Sequence, residues 1–193
     1  MTKKSNGKGG KSKKPVRRQP TKPLLKAHVT HLEMNTPLNR IVHAPSRPVT
    51  ALMIAKNISA SFYAFLYEQV GREHHWYDRR NMDPAELHAT INDDRCQIGI
   101  LYADGCPAGL YELDLQESPD FIEIRYFGLM KEYQGLGLGK WFLTLAIKGA
   151  WSHQPDKVIV ETNTLDHPAA LQLYQRMGFS PVAVSDVEIE PWD

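Results

Sequence analysis

The sequence has little of what marks a secreted, membrane or metal-binding protein. Its two cysteines, Cys96 and Cys106, are ten positions apart, which fits neither a close-spaced metal pair nor a network of disulfides. No apolar run is long enough to cross a bilayer, and no apolar stretch follows the basic N-terminal residues as a secretory signal requires. The sequence therefore predicts a cytoplasmic, reduced protein that requires no metal and has no membrane partner.

Acidic residues are absent from the first part of the chain. Residues 1–26 hold ten Lys or Arg and no Asp or Glu, whereas the remaining residues hold 13 basic and 22 acidic side chains. A block of like charge with few apolar residues cannot bury enough surface to offset its ordering entropy. We therefore predict a disordered basic tail over residues 1–26, with weak attraction to polyanions, and an acidic folded body.

The rest of the chain alternates between strand-like and helix-like segments. Residues 27–48 are predicted to be an extended lead-in segment with three prolines, followed by a single domain over residues 49–193. The Asp104-Gly105 pair predicts a tight hairpin turn. Strands are predicted at 49–54, 97–102, 107–115, 121–129, 158–160 and 182–189, and helices at 59–71, 83–92, 138–151 and 168–178.

The segment 132–141, EYQGLGLGKW, lies between a predicted strand and a predicted helix. Its glycines let the backbone approach a ligand closely, with unpaired N–H groups that favour a phosphate or pyrophosphate. It is not a P-loop, because Trp141 stands where a hydroxyl residue is needed, and it lacks the spacing of the dinucleotide fingerprint. From these residues alone, the segment is either an anion-binding loop or a tight turn that caps a helix.

Two motifs at a characteristic separation extend this interpretation. The first is Gln/Arg-x-x-Gly-x-Gly/Ala and the second is Ala-x-x-x-Tyr-x-x-x-Gly-Phe, matched by Gln134, Gly137 and Gly139 and by Ala170, Tyr174, Gly178 and Phe179. Over about residues 50–185 the chain resembles the GNAT superfamily of acyl-CoA-dependent N-acetyltransferases. The resemblance implies an α/β (α+β) fold with a mixed, mostly antiparallel central sheet of about six to seven strands. It also implies about four flanking helices and a V-shaped splay between the family's fourth and fifth strands.

The resemblance implies acetyl-CoA as the cofactor. In this family the backbone amides of the glycine loop bind the pyrophosphate of coenzyme A. That role would fall on Gln134, Gly135, Leu136, Gly137, Leu138, Gly139 and Lys140. The splayed fourth strand pairs with the pantetheine amides, which here implies Phe127, Gly128 and Leu129, although Gly128 could equally be a packing glycine. Asn163 and Tyr174 are further candidates for contact with the cofactor.

Three residues are candidates for catalytic proton transfer. In the family, the Tyr that matches Tyr174 protonates the departing thiolate, although a Tyr on an amphipathic helix is also a common core residue. Glu123 has the spacing of the base in the histone-acetylating branch, and its apolar neighbours would raise its pKa unless strand alternation places it in solvent. His167 stands where many members have Asn, and it could bind the cofactor, act as a base or cap the helix.

The first two helices and their loop usually form a wall of the acceptor site in this family. The aromatic and charged candidates here are Tyr63, Tyr67, Trp76, Tyr77, Arg79 and Arg80. Arg79 or Arg80 could pair with a substrate carboxylate, while Trp76 and Tyr77 could pack against an apolar or cationic group. The alternative is a solvated charged edge above buried aromatic residues.

The sequence thus predicts an acetyl-CoA-dependent N-acetyltransferase that acts by direct attack of a primary amine. The amine belongs to a small molecule or to a protein or peptide. The alternative is a nucleic-acid- or ribosome-associated binding protein that uses its basic arm. The last predicted strand could pair with a second copy in a homodimer, or it could simply be a protected edge.

Overall fold

The computed structural model describes residues 22–192 of the chain. Seven strands form one sheet in the order β2-β3-β4-β5-β6-β1-β7. They are β1 (Leu25–Met34), β2 (Thr50–Ile54), β3 (Cys96–Ala103), β4 (Cys106–Asp114), β5 (Ile122–Leu129), β6 (Val158–Asn163) and β7 (Ser180–Ile189). Neighbouring strands are antiparallel except for the parallel pair β5 and β6. The mixed, mostly antiparallel sheet that the sequence predicts is confirmed.

Four helices flank the sheet: α1 (Ala60–Gly71), α2 (Pro84–Ile91), α3 (Leu138–Trp151) and α4 (Ala170–Arg176). Side-chain caps fix where the first two begin. Ser59 Oγ accepts from the Phe62 N–H at 3.3 Å, and Asp83 Oδ1 accepts from the Ala85 N–H at 2.9 Å. These caps satisfy backbone donors that the first turn of a helix cannot pair internally. All four helices lie close to their predicted positions.

The N-terminal boundary differs from the prediction. Strand β1 lies between β6 and β7, so the folded unit starts near Leu25 rather than at residue 49, and much of the predicted lead-in segment is regular strand. The sequence pattern did not reveal β1, because the pairing of β1 with β7 shifts register between His31 and Leu32. This shift breaks the period-two pattern of buried residues, from Ala27 and Val29 to Leu32 and Met34. Residues 1–21 of the predicted basic tail lie outside the described residues.

Each face of the sheet has its own apolar core. Helices α3 and α4 cover one face, where Phe142, Ala146 and Met177 pack against strand residues. Helices α1 and α2 cover the other face, with Leu66 and Leu87 among the packed residues. Within residues 22–192, no helix is both long enough and apolar enough to cross a membrane.

Strands β5 and β6 pair over a short distance and then separate. Their register runs from Ile122 opposite Val158 to Ile124 opposite Val160 and goes no further. On its other side, β5 has an extra residue at Arg125 relative to β4, because Leu113 faces Ile124 and Glu112 faces Tyr126. Such a bulge bends the strand. The V-shaped splay expected from the family resemblance is thus confirmed, with β5 and β6 as its two arms.

Candidate functional site

A cleft of about 180 Å³ opens where β5 and β6 separate. Its walls come from five parts of the chain, one of which is Val29 on β1. Residues 74–78 follow α1, Glu123 and Arg125 lie on β5, and Glu161 lies on β6. Val187 and Ile189 of β7 close the remaining side. No local sequence pattern predicts that these β7 residues reach the cleft, because their position depends on the placement of β1 between β6 and β7.

Aromatic side chains that pack at tilted angles form and support one wall of the cleft. The Trp76 ring centroid lies 4.9 Å from that of Tyr126 and 5.3 Å from that of Tyr67. Trp76 packs directly over the end of α1, where a Cβ atom on Gly71 would lie 2.4 Å from its ring. Only glycine leaves room for this approach. Trp76 and Tyr77 line the cleft, and their contact with an acceptor stays a prediction.

Charged groups face the aromatic wall. The Arg125 guanidinium lies 3.1 Å from Glu123 Oε2 and 3.3 Å from Asp78 Oδ2, and the Tyr126 hydroxyl donates to the same Asp78 oxygen at 3.0 Å. Burial raises the pKa of Glu123, the Arg125 charge opposes this rise, and Glu161 adds to it. Glu123 is therefore partly buried and in the cleft rather than in open solvent.

Two histidines of the cleft were not among the predicted site residues. His74 Nδ1 donates to the Leu165 carbonyl oxygen at 3.2 Å, because a carbonyl oxygen can only accept. His75 Nδ1 accepts from the Trp192 N–H at 3.1 Å. Burial lowers the pKa of His75, and the nearby charges of Arg80 and His74 lower it further. The signal available from the sequence was only that the loop is rich in ionisable residues.

Three of the predicted acceptor residues lie beneath the cleft. Tyr63 and Tyr67 are almost fully buried, and the Tyr63 hydroxyl donates to Glu112. Arg79 Nη2 lies 2.5 Å from Glu112 Oε1, and its side chain is 9% exposed. These side chains are enclosed by the core between α1 and the sheet, so they cannot contact an acceptor directly. They support the loop that follows α1 from within the core instead.

Arg80 is also engaged within the protein. Its Nη2 donates to the carbonyl oxygens of Glu190 and Pro191 at 3.0 and 3.1 Å, and its guanidinium lies 4.9 Å from the Trp192 ring centroid. The Trp192 indole donates in turn to the Trp76 carbonyl at 2.9 Å. Arg80 therefore fixes the segment after β7 against the loop, instead of presenting a free cation for a substrate carboxylate.

The glycine loop forms a backbone cradle before α3. Gly135 and Gly137 have φ of 75° and 76°, a region that favours glycine. A Cβ atom on Gly135 would have open space, and one on Gly137 would meet only Pro45 at 3.7 Å. Gly137 caps α3 without a side-chain hydrogen bond, so the first N–H groups of the helix are left to an outside acceptor. The geometry fits an anion such as a pyrophosphate.

The end of β5 connects the splay to this loop. Gln134 Nε2 donates to the Leu129 carbonyl at 3.2 Å, which ties the loop to the strand. The Phe127 ring packs against Phe142, 5.2 Å between centroids. A Cβ atom on Gly128 would lie 2.4 Å from Val70 Cγ1, so the close approach of α1 explains this glycine.

The remaining candidate site residues lie between the end of β6 and α4. Tyr174 is buried beside Phe127, 6.4 Å between ring centroids, and burial raises its pKa, with a further contribution from Asp166. Asn163 and Asp166 both line the cleft. His167 is exposed, and its Nδ1 accepts from the Ala169 N–H at 3.1 Å in the turn before α4.

Comparison with known proteins identifies the family. The sequence profile of the acetyltransferase (GNAT) family matches residues 57–179. The chain belongs to the GNAT family. A mycothiol acetyltransferase from Corynebacterium aurimucosum is 35% identical over 65 residues, which make up 34% of this chain and 21% of that protein. The match thus spans about a fifth of the length of this curated relative.

Solved structures share the GNAT fold. A functionally unknown conserved protein from Staphylococcus epidermidis has a TM-score of 0.60 at 16% identity, covering 88% of this chain and 64% of that one. A GCN5-related N-acetyltransferase from Kribbella flavida has a TM-score of 0.59 at 14% identity, covering 86% and 60%. An IAA acetyltransferase from Bacillus cereus has a TM-score of 0.51 at 23% identity, covering 70% and 79%. At these identities the likeness concerns the fold alone.

Proposed function

We propose that this GNAT protein binds acetyl-CoA and transfers the acetyl group to a primary amine of a small molecule, protein or peptide by direct attack. The observation that carries the proposal is the continuity between the splay and the glycine loop. The unpaired end of β5 leads directly into the cradle at Gly135 and Gly137, and the cleft opens on the same splay. A cofactor bound across this junction would have its reactive end at the cleft.

The cofactor's phosphates suit the start of α3. The N–H groups of the first turn of α3 would donate to the pyrophosphate, and the exposed Lys140 would add positive charge. Phe127, Gly128 and Leu129 would offer backbone groups to the pantetheine on the arm of β5 that β6 leaves unpaired. Acetyl-CoA, when bound, supplies an acetyl thioester whose C–S bond breaks as the acceptor nitrogen forms the new C–N bond.

Two side chains suit the proton transfers of this reaction. Glu123 would accept the proton from the attacking amine, and its raised pKa favours a base near neutral pH. Tyr174 would protonate the departing thiolate, because its raised pKa keeps the phenol protonated. The exposed position of His167 and its hydrogen bond to the Ala169 N–H favour a local role in the turn before α4 over catalysis.

Calorimetric titration with acetyl-CoA and with CoA tests the cradle. We expect binding by the wild type and its loss in Gly137→Glu, because the new carboxylate adds bulk and negative charge where the pyrophosphate would lie. The matched control is Gly105→Glu in the β3–β4 hairpin. Gly105 also has a positive φ, of 85°, and open space around its Cβ position. The control therefore adds the same charge and backbone strain away from the cradle.

CoA binding should be lost in Gly137→Glu and retained in the control Gly105→Glu. Loss of CoA binding in both would mean that backbone strain, rather than occupation of the cradle, weakens the protein. Retention of binding in Gly137→Glu would contradict the proposed site. The alternative function, nucleic-acid binding by the basic arm, depends on residues of which 1–21 lie outside the described part of the chain, and the comparisons give it no support.

A further inference from the structure

We propose that the acceptor is a small amine that carries a second positive charge, as a diamine does. This inference rests on the proposed acetyl transfer and names the substrate class of the same cleft. The cleft volume of about 180 Å³ lies below the roughly 300 Å³ at which drug-sized pockets begin, so it suits a small acceptor.

Carboxylates outnumber cations around the cleft. Its lining includes the acidic residues Asp78, Glu123, Glu161 and Asp166. Arg125 is the one Lys or Arg that lines the cleft among residues 22–192. An acceptor with its own carboxylate would therefore meet mainly charges of the same sign, whereas a cationic acceptor would be attracted.

The positive charge of Arg125 is already balanced. Its guanidinium pairs with Glu123 at 3.1 Å and with Asp78 at 3.3 Å. His75 does not add a cation, because its Nδ1 accepts a hydrogen bond from the Trp192 backbone N–H and is therefore unprotonated. Arg125 offsets one of the two carboxylates that it contacts, so the cleft stays net negative, and Glu161 and Asp166 are the lining carboxylates without an ion pair to Arg125.

Neither of these carboxylates has a Lys or Arg partner in the described residues. Asp166 accepts from two neutral donors, the Thr162 hydroxyl at 2.8 Å and the Asn163 N–H at 2.9 Å. Glu161 contacts the imidazole of His31 at 2.8 Å and is 49% exposed. Glu161 and Glu123 both line the cleft. A second ammonium group of the acceptor would supply the missing positive charge.

The aromatic wall also suits a cation. Trp76 and Tyr77 line the same cleft as the carboxylates, and aromatic faces attract ammonium groups. The arginines that could have bound a substrate carboxylate are engaged elsewhere. Arg79 is buried against Glu112, and Arg80 donates to the carbonyl groups of Glu190 and Pro191.

Three four-carbon amines that differ only at the far end test the charge preference: 1,4-diaminobutane, n-butylamine and 4-aminobutyrate. With acetyl-CoA as donor, we expect kcat/KM for the diamine to exceed that for butylamine by about fivefold, the upper range for an exposed ion pair. 4-Aminobutyrate should be the poorest acceptor. The preference for the diamine should shrink as salt is added.

A matched pair of variants locates the preference. Glu161→Gln should reduce the ratio of diamine to butylamine kcat/KM by severalfold and leave CoA binding unchanged. Glu188→Gln removes the same charge from an exposed position on β7 outside the cleft and should keep the wild-type ratio. An unchanged ratio in Glu161→Gln would overturn the assignment.

The outcomes separate this inference from the proposed function. Acetylation of butylamine or 4-aminobutyrate at least as fast as the diamine overturns the charge inference and leaves acetyl transfer intact. Failure to acetylate any of the three amines, in a protein that binds acetyl-CoA, overturns the charge inference, because the proposed function also includes peptide acceptors. Absence of acetyl-CoA binding overturns both.

Discussion

Replacement of Glu112 by Gln should strongly destabilise the protein, because it leaves the Arg79 guanidinium buried without a negative partner. Glu112 is 1% exposed and Arg79 is 9% exposed, with 2.5 Å between Oε1 and Nη2. Arg79 Nε is also buried without a hydrogen-bond acceptor within residues 22–192. Glu112 therefore carries most of the compensation for this buried charge.

The magnitude follows from the burial of both partners. Removing one member of a buried ion pair costs about 3–5 kcal/mol, because the other charge stays desolvated. The amide of the Glu112→Gln variant would keep its one oxygen for Arg79 and place its NH2 group opposite the Tyr63 hydroxyl, which can also accept, so we expect the lower end of that range. For a domain of this size, a loss of about 3 kcal/mol lowers Tm by about 6–12 °C.

Urea unfolding followed by tryptophan fluorescence measures this loss. The matched control is Glu73→Gln, which removes the same charge from the exposed pair with Lys131 and should leave the free energy of unfolding close to the wild-type value. The double variant Arg79→Met with Glu112→Leu should be more stable than Glu112→Leu alone, because no unpaired charge remains buried.

Two results would refute this reasoning. A Glu112→Gln variant as stable as Glu73→Gln would mean that solvent reaches Arg79 or that the pair contributes little. A double variant no more stable than Glu112→Leu would mean that the loss comes from packing and not from the uncompensated guanidinium.

Three further predictions concern the active site and its support. Tyr174→Phe should lower kcat by about a hundredfold or more without weakening CoA binding, as expected of a general acid, and an unchanged kcat would remove Tyr174 from the mechanism. Activity should fall as the pH drops through the raised pKa of Glu123, since the base works only when ionised. Arg125→Gln should move this limb to higher pH, because Arg125 lowers that pKa, and a shift to lower pH would contradict the assignment. Gly128→Ala should destabilise the protein by about 1–3 kcal/mol, because its Cβ would lie 2.4 Å from Val70 Cγ1. Val70→Ala should recover part of that loss in a urea titration, and wild-type stability of the Gly128→Ala single variant would contradict the argument.

Most secondary structure could be predicted because its signals are local. The Asp104-Gly105 hairpin has the positive φ angles that its dipeptide favours, 48° and 85°. Ser59 and Asp83 cap helices as their positions suggested, and the helix predicted at 138–151 has the bounds Leu138–Trp151. A capping residue, a turn pair or an apolar period acts within a few positions of itself, so the sequence alone contains it.

The cleft, in contrast, depends on contacts between distant segments. Sequence patterns pointed to Glu123, Trp76 and Tyr77, which the structure brings together, but not to His74, Glu161, Asp166 or Ile189, which it adds. Sequence patterns also favoured Arg79 as a surface cation. In the structure Arg79 is buried against Glu112, which lies 33 positions away on β4. An arginine next to a charged loop has the same local pattern whether it is solvated or buried.

The family, the order of the strands and helices after β1, and the glycine loop could all be predicted from the sequence, because their signals are motifs and patterns of short range. Only the tertiary structure decided that β1 enters the sheet between β6 and β7, that β5 and β6 separate after Ile124, and that the cleft is acidic. These features arise where register shifts and strand separation bring residues far apart in the chain into one space. The charge balance of the site is a sum over those neighbours, and no local pattern contains it.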